Sequence, residues 1–390
     1  MRLGFHYHVP ALQGGDHVLM PGYLGCFVDA LAKEFSEVAC FLHSPLHGEE
    51  RYFDYQIRSP NVRLVNIGPH VSVPRRELFG RRFSEPLRRD RSRLDALLLR
   101  GPSPLLPRMA AAAIPLPTVL LLVGNYVAGV NDLPQPRWRK KMIRHWAGWN
   151  QRRQNRVAGH CLTFVNSRKL FHEMRPLASN LVETRTTTLS TADFFEREDT
   201  CLALPYRLLY TGRMDRTKGL LQIVEALALL EKQGEDIVLD LVGWPEKGDP
   251  VIDDLRRLSE NRGISNRVNY LGFKAVGPEL FGCYKAADLF VIASQSSEGF
   301  PRTIWEAMAH SLPVVATRVG SIPEFLGEAA QLVEPNNVLD LATAIRSVIH
   351  DSGRRREMIQ RGRGLATGYT LEKQVPLMAA KIREWAAKCR

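Results

Sequence analysis

From Arg207 onward, short apolar runs and amphipathic segments alternate without interruption. Arg207–Tyr210, Val238–Val242, Val268–Leu271, Leu289–Ile292 and Pro313–Ala316 read as strands. Leu220–Gln233, Asp253–Arg262, Glu279–Ala286, Thr303–His310 and Leu339–His350 read as the helices between and after them. Strands joined through helices lie parallel, because a tight hairpin cannot connect parallel neighbours. Such a rhythm leaves few architectures open, and the simplest is a doubly wound parallel sheet covered by helices.

The first half carries a weaker version of the same pattern. Met1–Tyr7 reads as a strand and Gln13-Gly14-Gly15 as the loop after it. A helix is expected over Gly22–Phe35 and a strand over Val38–Leu42. Leu94–Leu99, Thr118–Val123 and Leu162–Asn166 are further strand-length runs, and Ser167 is placed to cap a helix. With 390 residues the chain is long enough for two such domains. We expect an N-terminal domain over 1–185, a Thr- and acid-rich linker over 186–206, and a second domain over 207–370. The last segment, 371–390, is expected as a helix.

Three segments of the second domain stand at predicted strand ends. Thr211–Gly219 holds Arg213 and Lys218, two cations suited to an anionic group. Ser294–Glu306 opens a helix, whose first amides suit a pyrophosphate. It also carries Glu298 and Glu306, a carboxylate in the loop and another inside the helix. Val319–Glu324 supplies a third turn on the same rim. Each segment has a bland alternative as an ordinary charged or polar turn.

Taken together the second-half segments resemble the retaining glycosyltransferases of the GT-B fold, in particular the large family 4. GRMDRTKG, LVGWPEKGD, VNYLGF, ADLFVIASQSSEGFPRTIWEAMAHSLPVVATRVGSIPEFL and LVEPNN follow the family order from Arg207 to Asn337. The resemblance implies two Rossmann-like domains facing across a cleft, with the last helix returning to the first domain. It also implies a sugar moved from a UDP- or GDP-linked donor with retention of configuration. Arg213 and Lys218 would bind the diphosphate and Glu306 the ribose. Gly299, Phe300, Pro301, Arg302 and Thr303 would line the sugar and phosphate, with Glu298 at the reacting carbon. Phe273 would border the base, and Gly15 the diphosphate from the first domain. Gly124-Asn125-Tyr126 stands where the family often has a histidine, and Leu189–Asp193 replaces its Asn-Gly-Val-Asp loop.

The charge is uneven. Eight arginines fall between Arg75 and Arg93, and Arg137–Arg156 is a basic stretch interleaved with Trp138, Trp146 and Trp149. That stretch suits an anionic membrane surface, a nucleic acid, or a solvated helix with its tryptophans turned inward. No nucleic-acid module accompanies it, so none is expected as a partner. A lipid-linked or other saccharide acceptor fits the basic first half. Assembly of a bacterial surface polysaccharide or glycolipid would follow.

His6 and His8 have no carboxylate or cysteine at metal-ligand spacing, and no Asp-x-Asp occurs, so no metal or other cofactor is expected. The scattered cysteines suit a reducing, cytoplasmic setting, and no leader is read behind Arg2. An epimerase, a phosphorylase and a non-catalytic binding protein remain the rival readings.

Overall fold

A computed structural model describes residues 1–49, 53–127, 130, 135–245, 249–295 and 301–389. The chain divides into two compact units, Met1–Thr188 with Leu371–Arg390, and Leu189–Thr370.

The first unit begins with β1 (Arg2–Pro10), β2 (Leu12–Gly14), β3 (His17–Met20), α1 (Gly22–Glu34) and β4 (Glu37–Ser44). It continues through β5 (Tyr55–Gln56), β6 (Val62–Pro69), α2 (Val73–Leu78), α3 (Gly80–Asp90), β7 (Ala96–Gly101) and α4 (Leu106–Ala113). It then runs through β8 (Thr118–Leu122), α5 (Arg137–Ala158), β9 (Leu162–Val165), α6 (Arg168–Met174) and β10 (Asn180–Glu183). The main sheet has the order β10-β9-β8-β7-β1-β4-β6, with every pairing parallel.

Its central strand β7 is buried along its whole length, as a strand covered on both faces must be. Helix α1 buries Leu24, Phe27, Val28 and Leu31, the i, i+3, i+4, i+7 pattern of one helical face. Ser167 Oγ accepts from the Leu170 amide at 3.3 Å and starts α6. The Gln13-Gly14-Gly15 segment is not an open loop: β2 and β3 form a hairpin whose turn is Gly15-Asp16, in a small antiparallel sheet with β5.

The second unit contains β11 (Tyr206–Met214), α7 (Leu220–Lys232), β12 (Ile237–Pro245), α8 (Val251–Arg262), β13 (Val268–Gly272) and α9 (Pro278–Ala286). After them come β14 (Leu289–Ile292), α10 (Arg302–Ala309), β15 (Val314–Thr317), α11 (Ile322–Leu326), β16 (Gln331–Val333), α12 (Val338–His350) and α13 (Ser352–Thr367). These strands form a second parallel sheet, β13-β12-β11-β14-β15-β16. The chain ends in α14 (Leu371–Lys388), whose Val375, Met378 and Ile382 lie in the core of the first unit.

Two differences from the sequence-based expectation matter. Strand β11 runs on to Met214, so Thr211–Arg213 pair in register with Val242–Trp244 instead of forming a turn. The segment 186–206 is packed. Thr186–Thr188 are buried in the first unit, and Leu189 begins the second. There the Phe195 amide donates to Ala309 O at 3.0 Å. The Arg197 guanidinium reaches the carbonyl oxygens of Tyr284, Lys285 and Ser311. These partners lie about a hundred residues away, so no local periodicity reveals them.

Candidate functional site

The sheet of the second unit reverses its direction of growth between β11 and β14: β12 and β13 add on one side, β15 and β16 on the other. Loops leaving neighbouring strands at such a point turn to opposite faces and open a crevice at the carboxyl ends, where α/β sheets hold their ligands. Two of the motifs leave the sheet there. Asp215 accepts from the Thr217 amide at 2.9 Å and from the Thr217 hydroxyl, closing the one-turn helix Arg216–Lys218. The Gln295 amide then donates to Thr217 O at 2.7 Å, bonding the loop after β14 to the loop after β11.

Arg213, at the end of β11, is half-exposed, with a guanidinium nitrogen 3.6 Å from Asp215 Oδ2. A pair this long and this open is worth at most about 1 kcal/mol. A phosphate offering bidentate, charge-assisted bonds outcompetes it. Lys218 closes the turn that Asp215 caps, its amide 3.1 Å from Asp215 O. Pro301 is the N-cap of α10, and Arg302 and Thr303 form its first turn, with no side-chain cap among the described residues. Glu298, Gly299 and Phe300 lie outside the described residues.

Glu306, one turn into α10, is only 4% exposed. Its Oε2 accepts from the Tyr284 hydroxyl at 2.8 Å, and Tyr284 Oη lies 2.6 Å from Thr211 Oγ1. A phenol has one proton. With that proton given to the carboxylate, Thr211 must donate to Tyr284. The chain Thr211→Tyr284→Glu306 therefore joins β11, α9 and α10 beneath the crevice. Burial, and next to it the Glu306 charge, pushes the Tyr284 hydroxyl well above its ordinary pKa, so it remains a donor. His310 stacks on the Tyr284 ring at 5.3 Å, and its Nδ1 donates to Glu306 O at 2.7 Å.

Tyr284→Phe removes the middle of this chain and leaves two buried groups short of a partner. The expected loss is about 2 kcal/mol in urea unfolding. Thr211→Val in the same background should add little, because the two residues share one network. Independent, additive losses would contradict that linkage.

Phe273, just past β13, is exposed and meets Trp244 edge to face at 5.2 Å. The pair stands at the carboxyl ends of β12 and β13. Trp244, Tyr284 and Thr211 lie at the candidate site without a role in the sequence reading, which had Thr211 and Trp244 only inside its motifs. The signal for Trp244 and Tyr284 was position: Trp244 lies at the end of β12, and Tyr284 two residues before the end of the helix preceding β14.

The first unit also reverses its sheet growth, between β1 and β7. His6 from β1 donates from Nδ1 to Phe41 O at 2.8 Å, and Ser103 Oγ, just past β7, lies 3.4 Å from its Nε2. Tyr126, from the segment lacking the family histidine, accepts from the Ser103 amide at 2.9 Å and donates to Ser103 O. Gly15 sits exposed at the hairpin turn that follows β1. Among the described residues no three His, Cys, Asp or Glu side chains gather as a metal site.

Against solved structures, the whole chain superposes on Anabaena HepE in complex with UDP and glucose. The TM-score is 0.74 at 17% identity, covering 98% of this chain and 100% of that one. The fold is GT-B. Within this GT-B chain, residues 203–365 match the family described as Glycosyl transferases group 1. A D-inositol 3-phosphate glycosyltransferase of Pseudarthrobacter chlorophenolicus is 35% identical over 155 residues, 39% of this chain and 36% of that protein. The O-antigen chain mannosyltransferase B of Escherichia coli is 32% identical over 168 residues, 42% of each chain. The chain thus spans less than half the length of these curated relatives. The residues matched by the family, 203–365, lie in the unit that carries Arg213, Lys218 and Glu306.

Proposed function

We propose that the protein is a retaining glycosyltransferase, moving a sugar from a UDP- or GDP-linked donor to a saccharide or lipid-linked saccharide. The observation that carries the reading is the bonded convergence of the Arg213–Lys218 loop and the β14–α10 loop where the second sheet reverses. Breaking the bond from sugar to diphosphate places new negative charge on phosphate. Fixed cations and helix amides stabilise that charge where it develops. In this reading Arg213 and Lys218 hold the diphosphate, and the start of α10 from Arg302 and Thr303 faces it. Glu298 orients the sugar. Glu306, fixed by Tyr284, takes the ribose, and Trp244 with Phe273 flanks the base. No metal is needed, because cations of the chain itself supply the positive charge.

The first unit holds the acceptor, with Gly15 at the mouth of its hairpin. HepE is described with UDP and glucose, and the Escherichia coli relative is named for O-antigen mannose transfer, which supports a nucleotide-sugar donor and a surface-polysaccharide product. All six cysteines are free thiols, in keeping with the reducing cytoplasmic face of a membrane. No helix among the described residues is long and apolar enough to cross a bilayer.

A thermal-shift panel of UDP, GDP and their sugars tests the reading. At least one compound should raise the melting temperature, as any ligand of the folded state does. Arg213→Ala and Lys218→Ala should each abolish the shift while leaving the unliganded melt close to wild type. A folded protein indifferent to every compound would end the proposal.

A further inference from the structure

Helix α5 is turned the opposite way from an ordinary surface helix. Trp138, Met142, His145 and Trp149 recur at 4-3-4 spacing and so share one face. That face points outward: Trp138 is 66% exposed, Met142 63% and Trp149 46%. The face set against the unit is made of Ala147, Asn150, Gln154 and Ala158, all buried. A helix stable only in water buries its aromatics and exposes its amides. Here Asn150 and Gln154 are inside and the tryptophans outside, so the turned-inward alternative fails for Trp138 and Trp149. Only Trp146 packs, edge to face on Tyr126 at 5.9 Å.

The apolar stripe continues beyond the helix. The Arg153 guanidinium lies 4.2 Å over the Trp149 ring and pairs with Glu77 at 3.4 Å, tying α5 to α2. Helix α2 ends in Leu78, 76% exposed, followed by exposed Phe79. Arg156, in line with the stripe at the other end of α5, stands on the rim of an apolar cavity of about 500 Å³ that also takes in Ile114. Helix α5 contains no acidic residue. Among the described residues no carboxylate is paired with exposed Arg137, Arg139, Lys141 or Arg152, nor with exposed Arg81 or Arg82 beyond α2.

We propose that this surface, the outward face of α5 with the end of α2, docks on an anionic lipid bilayer. Trp138, Met142, Trp149, Leu78 and Phe79 enter the interface and the flanking cations meet the headgroups. Aromatics at interfacial depth with arginines and lysines around them are the composition of an in-plane membrane helix. A nucleic acid accounts for the tryptophans and cations, but leaves Met142, Leu78 and Phe79 in water. A bilayer covers them all. The proposal deepens the membrane-side setting of the reading above, yet its readout is independent, since vesicle binding and nucleotide binding can each fail alone.

Co-sedimentation of the full chain with phosphatidylglycerol-containing and pure phosphatidylcholine vesicles tests it. The wild type should pellet with the anionic vesicles and be released by high salt. Trp138→Ala with Met142→Ala and Trp149→Ala should lower the partition coefficient at least about tenfold. Arg139→Glu with Lys141→Glu and Arg152→Glu should remove the preference for anionic lipid. All six positions are exposed, and circular dichroism with the nucleotide shift checks that each variant is folded. No vesicle binding by the wild type, or binding unchanged in both variants, overturns the proposal. So does an α5 variant that loses self-association or single-stranded RNA binding while keeping its vesicle affinity.

Discussion

As the pH falls from neutral toward 4, the first unit is expected to lose stability steeply, through three histidines at its carboxyl edge. His6 is pushed down to about 4, chiefly by burial, with the Arg76 charge adding to it against a raising bond from Phe41 O. His43 is pushed down to about 3 by burial and then by His6, and His8 to about 3 by burial and then by Arg76. Unfolded, all three protonate near the usual 6.5. A folded-state value below the unfolded one gives a contribution that is complete above pH 6.5 and drains away as the pH approaches the folded value.

Each tenfold change in proton affinity is worth about 1.4 kcal/mol. By pH 4, His6 and His43 then account for roughly 3 kcal/mol each. That is comparable with the whole stability of a domain, about 5–15 kcal/mol. Calorimetric scans over this range should show one transition falling with pH. His43→Asn should flatten the slope even if it lowers the neutral value. A first-unit transition level from pH 7 down to 4 would refute the histidine account.

Gly219→Ala is the substitution expected to damage the second unit most. Gly219 has φ 68° and lies between the turn Arg216–Lys218 and α7. An added Cβ would overlap the Ala293 carbonyl oxygen and come within 2.7 Å of Gln295 Nε2. The backbone at Ala293 belongs to the β14 edge of the crevice and cannot yield without separating the two bonded loops. The expected cost is about 3 kcal/mol, combining left-handed strain with the overlap. On the proposed function, nucleotide affinity should fall at least tenfold, because Lys218 moves with the turn.

Gly263→Ala is the control. Gly263 has φ 72° and nothing within 4 Å of the added carbon, so only the backbone term, about 1 kcal/mol, remains. Equal losses for the two variants in urea melts would show that the overlap is relieved elsewhere.

Much of the fold was legible because it is local. Leu289–Ile292 was read as a strand with the bounds it has, and most other ends of the second domain fall within a residue or two. The miss at β11 is instructive. Thr211-Gly212-Arg213 has the composition of a turn, yet pairing with Val242–Trp244 holds it as strand. That lifts Arg213 to the rim instead of leaving it on a loose loop. Helices α2 and α13 went unread because an arginine takes a buried position in each, Arg76 and Arg355, weakening the periodicity by which a helix is recognised.

That strands and helices alternate in two sets, and that two cations and a helix start lie at strand ends, follows from the order of residues alone. Spacing along the chain is enough for that, because strand and helix periods are properties of neighbouring residues. Which of those ends adjoin depends on the packed sheet: the reversal between β11 and β14 sets Thr217 against Gln295, and Thr211, Tyr284 and Glu306 into one proton-ordered chain. Tertiary packing also decides which side of α5 faces water. A helix offers both faces equally to its own sequence, and the choice belongs to the elements packed against it.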